Sequence, residues 1–109
     1  MASILIVLTS SPVTPAGQQA LALAESLTEE GRPLTVCCLQ DAVLLGSDRP
    51  PLGARDTLDR LLARNARCVV LGEDLALRGL RRAPRASVVD YAGLVALLTA
   101  DHDRVIGAL

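Results

Sequence analysis

Residues 68–80 read CVVLGEDLALRGL, and this stretch decides the fold that the rest of the chain must adopt. The apolar run at 68–71 is typical of a buried parallel strand. Gly72 interrupts the run, and Glu73 and Asp74 then stand in the predicted first turn of a short helix, where negative charge suits the positive helix end. Because ligands of open α/β sheets sit at the carboxyl ends of central strands, a site is expected directly after this strand. The simpler alternative is that the two acidic residues only start a helix.

Outward from this stretch, apolar runs alternate with amphipathic segments along the whole chain. Alternating strands and helices form a parallel sheet covered on both faces, with right-handed crossovers. The sequence therefore predicts one three-layer, doubly wound α/β domain over residues 1–109, with a five-stranded parallel sheet. The strands are predicted at 4–8, 34–39, 68–71, 86–90 and 104–109, and the longer helices at 15–30, 54–66 and 91–99, with Thr14 as the first N-cap and Gly79 ending the short helix.

Four local patterns predict finer features. Asp41 is expected to cap a short turn after the second strand. The composition of residues 46–53 predicts the most flexible loop of the chain. On the second long helix, Asp56 and Arg60 have the spacing of an i,i+4 ion pair. On the last helix, the spacing of four apolar residues predicts a single apolar face made of Tyr91, Leu94, Val95 and Leu98.

Composition excludes several classes of function. The chain has 109 residues, enough for one domain, and half of them are apolar. A single aromatic residue, Tyr91, and a net charge of -1 argue against direct nucleic-acid binding through base stacking. All 11 basic residues are Arg, which excludes Schiff-base chemistry and the phosphate-loop lysine. Nine of them lie between Arg49 and Arg85, which indicates either a solvated surface or a basic face for an acidic protein or RNA partner.

The three cysteines show no spacing typical of a disulfide framework, which indicates reduced thiols and a cytoplasmic protein. The first 24 residues carry no charged side chain, but Thr, Ser and Pro interrupt their apolar run, so neither a membrane span nor a signal peptide is predicted. Cys37 and Cys38 are neighbours on a strand and must point to opposite faces of the sheet. Either could carry sulfur as a thiolate, and Cys38 is the better candidate because it lies nearer the strand end. The alternative is that both are core residues. Cys68 is predicted to start the third strand, so it lies at the edge of the sheet opposite to the carboxyl ends of the strands.

A second candidate site is a crevice for a small anionic ligand at the carboxyl edge of the sheet, where three crossover loops should meet. Its predicted residues are Ser10, Ser11, Gly72, Glu73 and Asp74, with backbone N–H groups of the first helix as anion donors. The glycine fingerprint of dinucleotide sites is absent, and the lone aromatic residue argues against flavin. With His102 as the only histidine, no metal site is predicted. We therefore expect no cofactor.

Three pieces of sequence together resemble the DsrE/DsrF/DsrH family of small sulfur-relay proteins, which includes the TusB, TusC and TusD subunits. They are LQDAV at 39–43, VLGEDLALRGL at 70–80 and VVDYAGLVALLTADHDRV at 88–105, and they are most similar to the DsrH/TusB branch. The opening at 4–31 looks more like the longer, DsrE-type start. The resemblance implies a five-stranded parallel sheet, a cytoplasmic location and assembly with sister subunits or with itself. It also implies persulfide transfer between donor and acceptor proteins, for tRNA thiolation or sulfur oxidation.

The departures from the family pattern concern its cysteines and its tail. DsrE-type members carry the sulfur-bearing Cys at the end of the third strand, where this chain has about Leu71. The first helix, which holds a Cys in some DsrH-type members, has none here, and the aromatic-bearing tail of the branch is missing. We therefore expect a subunit of a sulfur-relay assembly that holds partners without carrying sulfur. At most it is a sulfurtransferase acting through Cys38 or Cys37, and the alternative is an anion-binding or scaffold module without sulfur transfer.

Overall fold

Five parallel strands form the sheet that organises the chain. The structure, a computed structural model, describes residues 3–100 and 102–108. The strand order is β4-β3-β2-β1-β5, and every neighbouring pair is parallel, which confirms the predicted α/β class and sheet. The strands are Ile4–Leu8 (β1), Leu34–Cys38 (β2), Arg67–Leu71 (β3), Ser87–Val89 (β4) and Arg104–Ala108 (β5).

Helices connect the strands, and local sequence explains where they start and stop. They are Pro15–Glu29 (α1), Leu52–Ala63 (α2), Gly72–Leu77 (α3) and Tyr91–Thr99 (α4), with a 3-10 turn at Gln40–Leu44. Thr14 caps α1 as predicted, since its Oγ1 accepts the Gly17 N–H at 3.1 Å. Asp90 caps α4 in the same way through Gly93 N–H. Gly79 follows α3 with φ +63°, a conformation that costs glycine little.

The two faces of the sheet are covered very unequally. Alternate residues of β1, Ile4, Ile6 and Leu8, point into a large core beneath α1 and α2. The intervening Leu5 joins a small cluster on the other face, whose buried members are Leu5, Cys37, Leu71 and Leu94. Only the nine-residue α4 contributes a helix to that cluster. One face of the sheet is therefore fully covered and the other only partly.

Four local predictions differ from the structure, and the first three concern a cap, a loop and an ion pair. Asp41 lies inside the 3-10 turn and caps nothing, because Leu39 occupies the N-cap position. Residues 46–53 are less loop-like than expected: Gly46 and Ser47 are buried, and α2 begins already at Leu52. Arg60 forms its ion pair across the helix interface with Glu25, at 3.0 Å, and not with Asp56. That contact, chiefly its hydrogen bond, holds the pKa of Glu25 below the ordinary 4.5.

The predicted apolar face of α4 is also wrong in its orientation. Leu94 is buried and Leu97 packs beside it, while Tyr91, Val95 and Leu98 are exposed. Nearly every residue of α4 is apolar, so the sequence offers several equivalent faces and cannot select one. The last strand was predicted through Leu109, which lies outside the described residues.

Candidate functional site

The carboxyl ends of β1, β2 and β3 lie side by side at one edge of the sheet. Leu8 is in register with Cys38, and Cys38 with Val70. The chain after β2 stays close to β1, since Leu39 N–H donates to the Leu8 carbonyl at 2.9 Å. The three predicted loops therefore follow one another along this edge.

A buried carboxylate joins two of these loops. Asp74, in the first turn of α3, is only 9% exposed, and its Oδ2 accepts the backbone N–H of Gln40 at 2.7 Å. Gln40 has φ +51°, a left-handed conformation that non-glycine residues rarely adopt. The bond thus holds a strained residue in place and ties the end of β2 to the end of β3.

Arg78 balances the charge of this contact. Its Nη2 lies 3.0 Å from Asp41 Oδ1, and its Nη1 lies 3.8 Å from Asp74 Oδ1. Nη1 also donates to the Asp74 carbonyl at 3.1 Å. One guanidinium therefore bridges the carboxylates of two crossover loops. Arg78 cannot be singled out from the sequence, because its position before Gly79 indicates only a helix end.

Glu73, at the same edge, has a carboxylate oxygen that lacks a hydrogen-bond partner among the described residues. Its side chain is half-buried, and among the described residues Oε2 is shielded from solvent without a hydrogen-bond partner. Beside it, a Cβ on Gly72 would stand 3.0 Å from Val88 Cγ1, so β4 closes tightly over this turn. Glu73 offers an acceptor to a donor group, and a carboxylate is the wrong charge for an anionic ligand.

The polar groups of the loop after β1 form hydrogen bonds within that loop and with the first turn of α1. Thr14 Oγ1 donates to the Ser11 carbonyl at 2.7 Å, and the N–H of Gly17 and of Gln18 are taken by Thr14. Since Pro15 has no N–H, Ala16 supplies the remaining free donor of the first turn. A Cβ on Gly17 would lie 2.0 Å from the Ser11 carbonyl oxygen, so this turn is closed tightly.

The predicted crevice residues fall into two groups. Ser10 and Ser11 follow β1, while Gly72, Glu73 and Asp74 follow β3. Since β2 lies between those strands, the groups are about 10 Å apart by the usual strand spacing. An anion site at these residues stays a prediction, and few hydrogen-bond donors lie near it.

All three cysteines are buried and reduced. Cys37 and Cys38 point to opposite faces as predicted, Cys37 into the small cluster beneath α4 and Cys38 into the large core. Burial raises the pKa of Cys37 from the ordinary 9.0 to about 11. A hydrogen bond with the Cys68 thiol, together with burial, raises the pKa of Cys38 as well. Because the thiolate is the reactive species, neither thiol is activated in this conformation. Their assignment as sulfur carriers stays a prediction.

The position where DsrE-type proteins are expected to carry a cysteine holds a core residue. Leu71 ends β3, is buried, and packs with Leu5, Cys37 and Leu94. His102 is half-buried, with Nε2 3.0 Å from the Leu97 carbonyl oxygen. Among residues 3–100 and 102–108 no group of three His, Cys, Asp or Glu is placed to hold a metal ion. Within the same residues, no helix has the length and apolar character needed to cross a bilayer.

The fold is similar to that of a solved protein over almost its full length. The crystal structure of the ychN protein from E. coli superposes with a TM-score of 0.82 at 24% sequence identity, covering 98% of this chain and 99% of that one. A comparison with curated protein sequences gives no match. The sequence profile described as "DsrH like protein" matches residues 13–105. The chain therefore belongs to the DsrH-like family.

Proposed function

We propose that this chain is a non-catalytic subunit of a cytoplasmic sulfur-relay assembly, in which persulfide sulfur passes between partner proteins for tRNA thiolation or sulfur oxidation. Membership of the DsrH-like family supports the sulfur-relay part of the proposal. The observation that carries the non-catalytic part is the burial of all three thiols. A sulfur carrier must present a thiolate to a partner's persulfide, and here the thiols lie under helices with a raised pKa at Cys37 and Cys38.

A scaffolding role also requires a surface for sister subunits. The incompletely covered face of the sheet supports such a surface. Around α4 it exposes four apolar side chains: Tyr91, Val95, Leu98 and Val105. Exposed apolar patches of this kind mark protein–protein interfaces. We propose that this patch, the α4 face, packs against a sister subunit of the same fold or a second copy of this chain.

Persulfide uptake tests the non-catalytic assignment. The native protein is incubated with a persulfide donor and its mass is compared before and after. We expect no addition of a sulfur atom to the native protein, and additions once urea exposes the thiols. The urea sample shows that the assay detects sulfur on this chain.

Uptake by the native protein would contradict the proposal and favour the carrier alternative. In that alternative the donor's terminal sulfur moves to a thiol of this chain and the donor cysteine leaves as a thiol. Cys38→Ser should then abolish uptake and Cys68→Ser should retain it, because Cys38 lies at the carboxyl end of β2 and Cys68 near the start of β3.

A further inference from the structure

A groove of about 430 Å³ opens on the fully covered face of the molecule, away from the carboxyl edge. Three segments line it: residues 47–50, which precede α2; the side of α2 that carries Arg55, Leu58 and Asp59; and residues 83–85, which precede β4. We call it the basic groove. Its apolar lining comes from Pro50, Leu58, Ala83 and Pro84, and four charged residues line it as well: Arg55, Arg85, Asp48 and Asp59. Its volume lies in the range of binding clefts.

The two loops that form the basic groove are fixed to each other. Asp48 N–H donates to the Arg81 carbonyl at 2.8 Å, and Ala83 N–H donates to the Gly46 carbonyl, also at 2.8 Å. Between these bonds, the buried Ser47 donates its hydroxyl to the Leu44 carbonyl at 2.7 Å. The groove is therefore preformed, which reduces the ordering cost of binding.

The same segments concentrate positive charge. With residues 81 and 82 included, they hold five arginines, at positions 49, 55, 81, 82 and 85, against Asp48, Asp56 and Asp59, an excess of two positive charges in a chain of net charge -1. Arg85 is paired with Asp59, and Arg82 donates to the carbonyls of Pro84 and Ala86. Within the described part of the chain, the other three arginines form no salt bridge to a carboxylate.

We propose that the basic groove binds an acidic segment of a partner protein that carries an apolar side chain. The apolar lining buries that side chain, and the guanidinium of Arg55, together with Arg49 and Arg81 on the two hydrogen-bonded loops of the groove, receives its carboxylates. RNA is a poorer fit because the one aromatic residue, Tyr91, lies on α4 at the opposite face of the sheet. This binding site does not depend on sulfur transfer by the chain or by its partners.

Fluorescence anisotropy with labelled peptides tests the proposal on the full chain. The probe is a peptide of Glu and Leu; a Glu/Ser peptide of equal charge removes the apolar contact, and a Lys/Leu peptide reverses the charge. The test variants are Arg55→Glu and Arg81→Glu. The matched control is Arg67→Glu, since Arg67 is exposed, has no carboxylate partner among the described residues, and begins β3 outside the lining of the groove.

We expect saturable binding of the Glu/Leu peptide that weakens as salt rises, with affinity about tenfold lower in Arg55→Glu and in Arg81→Glu and unchanged in Arg67→Glu. The Glu/Ser and Lys/Leu peptides should bind at least tenfold more weakly. Equal losses in all three variants would overturn the proposal in favour of diffuse electrostatic attraction. Equal binding of the Glu/Ser peptide would exclude the apolar lining, and displacement of the probe by polyuridylate at low concentration would make RNA the ligand.

Discussion

At the scale of single residues, the carboxyl edge of the sheet depends on one buried side chain. Asp74 accepts the N–H of Gln40, which stands in a left-handed conformation, across 34 positions of sequence. The conformation of Gln40 persists because its N–H has a charged acceptor and because Arg78 neutralises that acceptor. A similar acidic residue at a solvated helix N-terminus would contribute only its favourable interaction with the helix dipole.

Asp74→Ala should therefore destabilise the protein. It leaves a partly buried N–H without an acceptor at a strained residue, and we expect the free energy of unfolding to fall by about 1–3 kcal/mol. Asp41→Ala is the control, because Asp41 meets the same Arg78 but is 69% exposed and should cost less than about 1 kcal/mol. Urea denaturation measures both. Equal losses would show that the Gln40 contact contributes nothing beyond the ion pairs.

The local sequence predicts only half of this arrangement. Glu73 and Asp74 could be placed in the first turn of α3, because an apolar run and a glycine precede them. Their different roles could not be predicted: Asp74 turns toward Gln40, while Glu73 keeps an unpartnered oxygen. That difference depends on a loop from another strand, and hydrophobic periodicity carries no information about it.

At the scale of secondary structure, prediction succeeds where polar residues mark the boundaries and fails where they are missing. The predicted cap Thr14 and the predicted stop at Gly79 mark the start of α1 and the end of α3 correctly, whereas Asp90, predicted as the end of the fourth strand, is the cap of α4. The predicted rotation of α4 about its axis is wrong, because YAGLVALLT has no polar stripe that would mark the solvent side. Tertiary contacts choose Leu94 and Leu97 as the buried pair.

Two equal substitutions on α4 test this rotation. Leu94 is 9% exposed and Leu98 is 40% exposed. We expect Leu94→Ala to lower the free energy of unfolding by about 2–4 kcal/mol, because it leaves a cavity beside Leu5 and Leu71. Leu98→Ala should cost less than about 1 kcal/mol in dilute solution. Equal, large losses for the two substitutions would show that the helix is turned to its predicted face, on which Leu94 and Leu98 are both buried.

At the scale of the whole molecule, strand order explains the uneven covering. From β1 to β4 the chain moves in one direction across the sheet, and right-handed crossovers put α1 and α2 on the same face. Only the return from β4 to β5 carries a helix over the other face. The alternation of strands and helices predicted two covered faces, but it does not reveal strand order, on which the distribution of helices depends.

The α4 face should mediate association if it packs against a second copy or a sister subunit. We expect Val95→Glu to lower the mass measured by light scattering at micromolar concentration, because a charge would have to be buried in an apolar interface. Val13→Glu is the matched control: Val13 is 57% exposed, Val95 is 58% exposed, and Val13 lies before α1. A wild-type protein that stays monomeric both alone and with candidate sister subunits would contradict the proposed surface.

The place of β5 in the sheet has a consequence for biosynthesis. Of the five strands of this sheet, β5 is synthesised after the other four, and it pairs with β1, which is synthesised before them, from Ile4 against Arg104 to Leu8 against Ala108. Until β5 is made, the edge of β1 that pairs with it has unpaired backbone groups and carries the apolar sequence ILIVL. Such an edge is a template for aggregation. We therefore expect the nascent chain to need protection from aggregation until β5 has been made and has paired with β1.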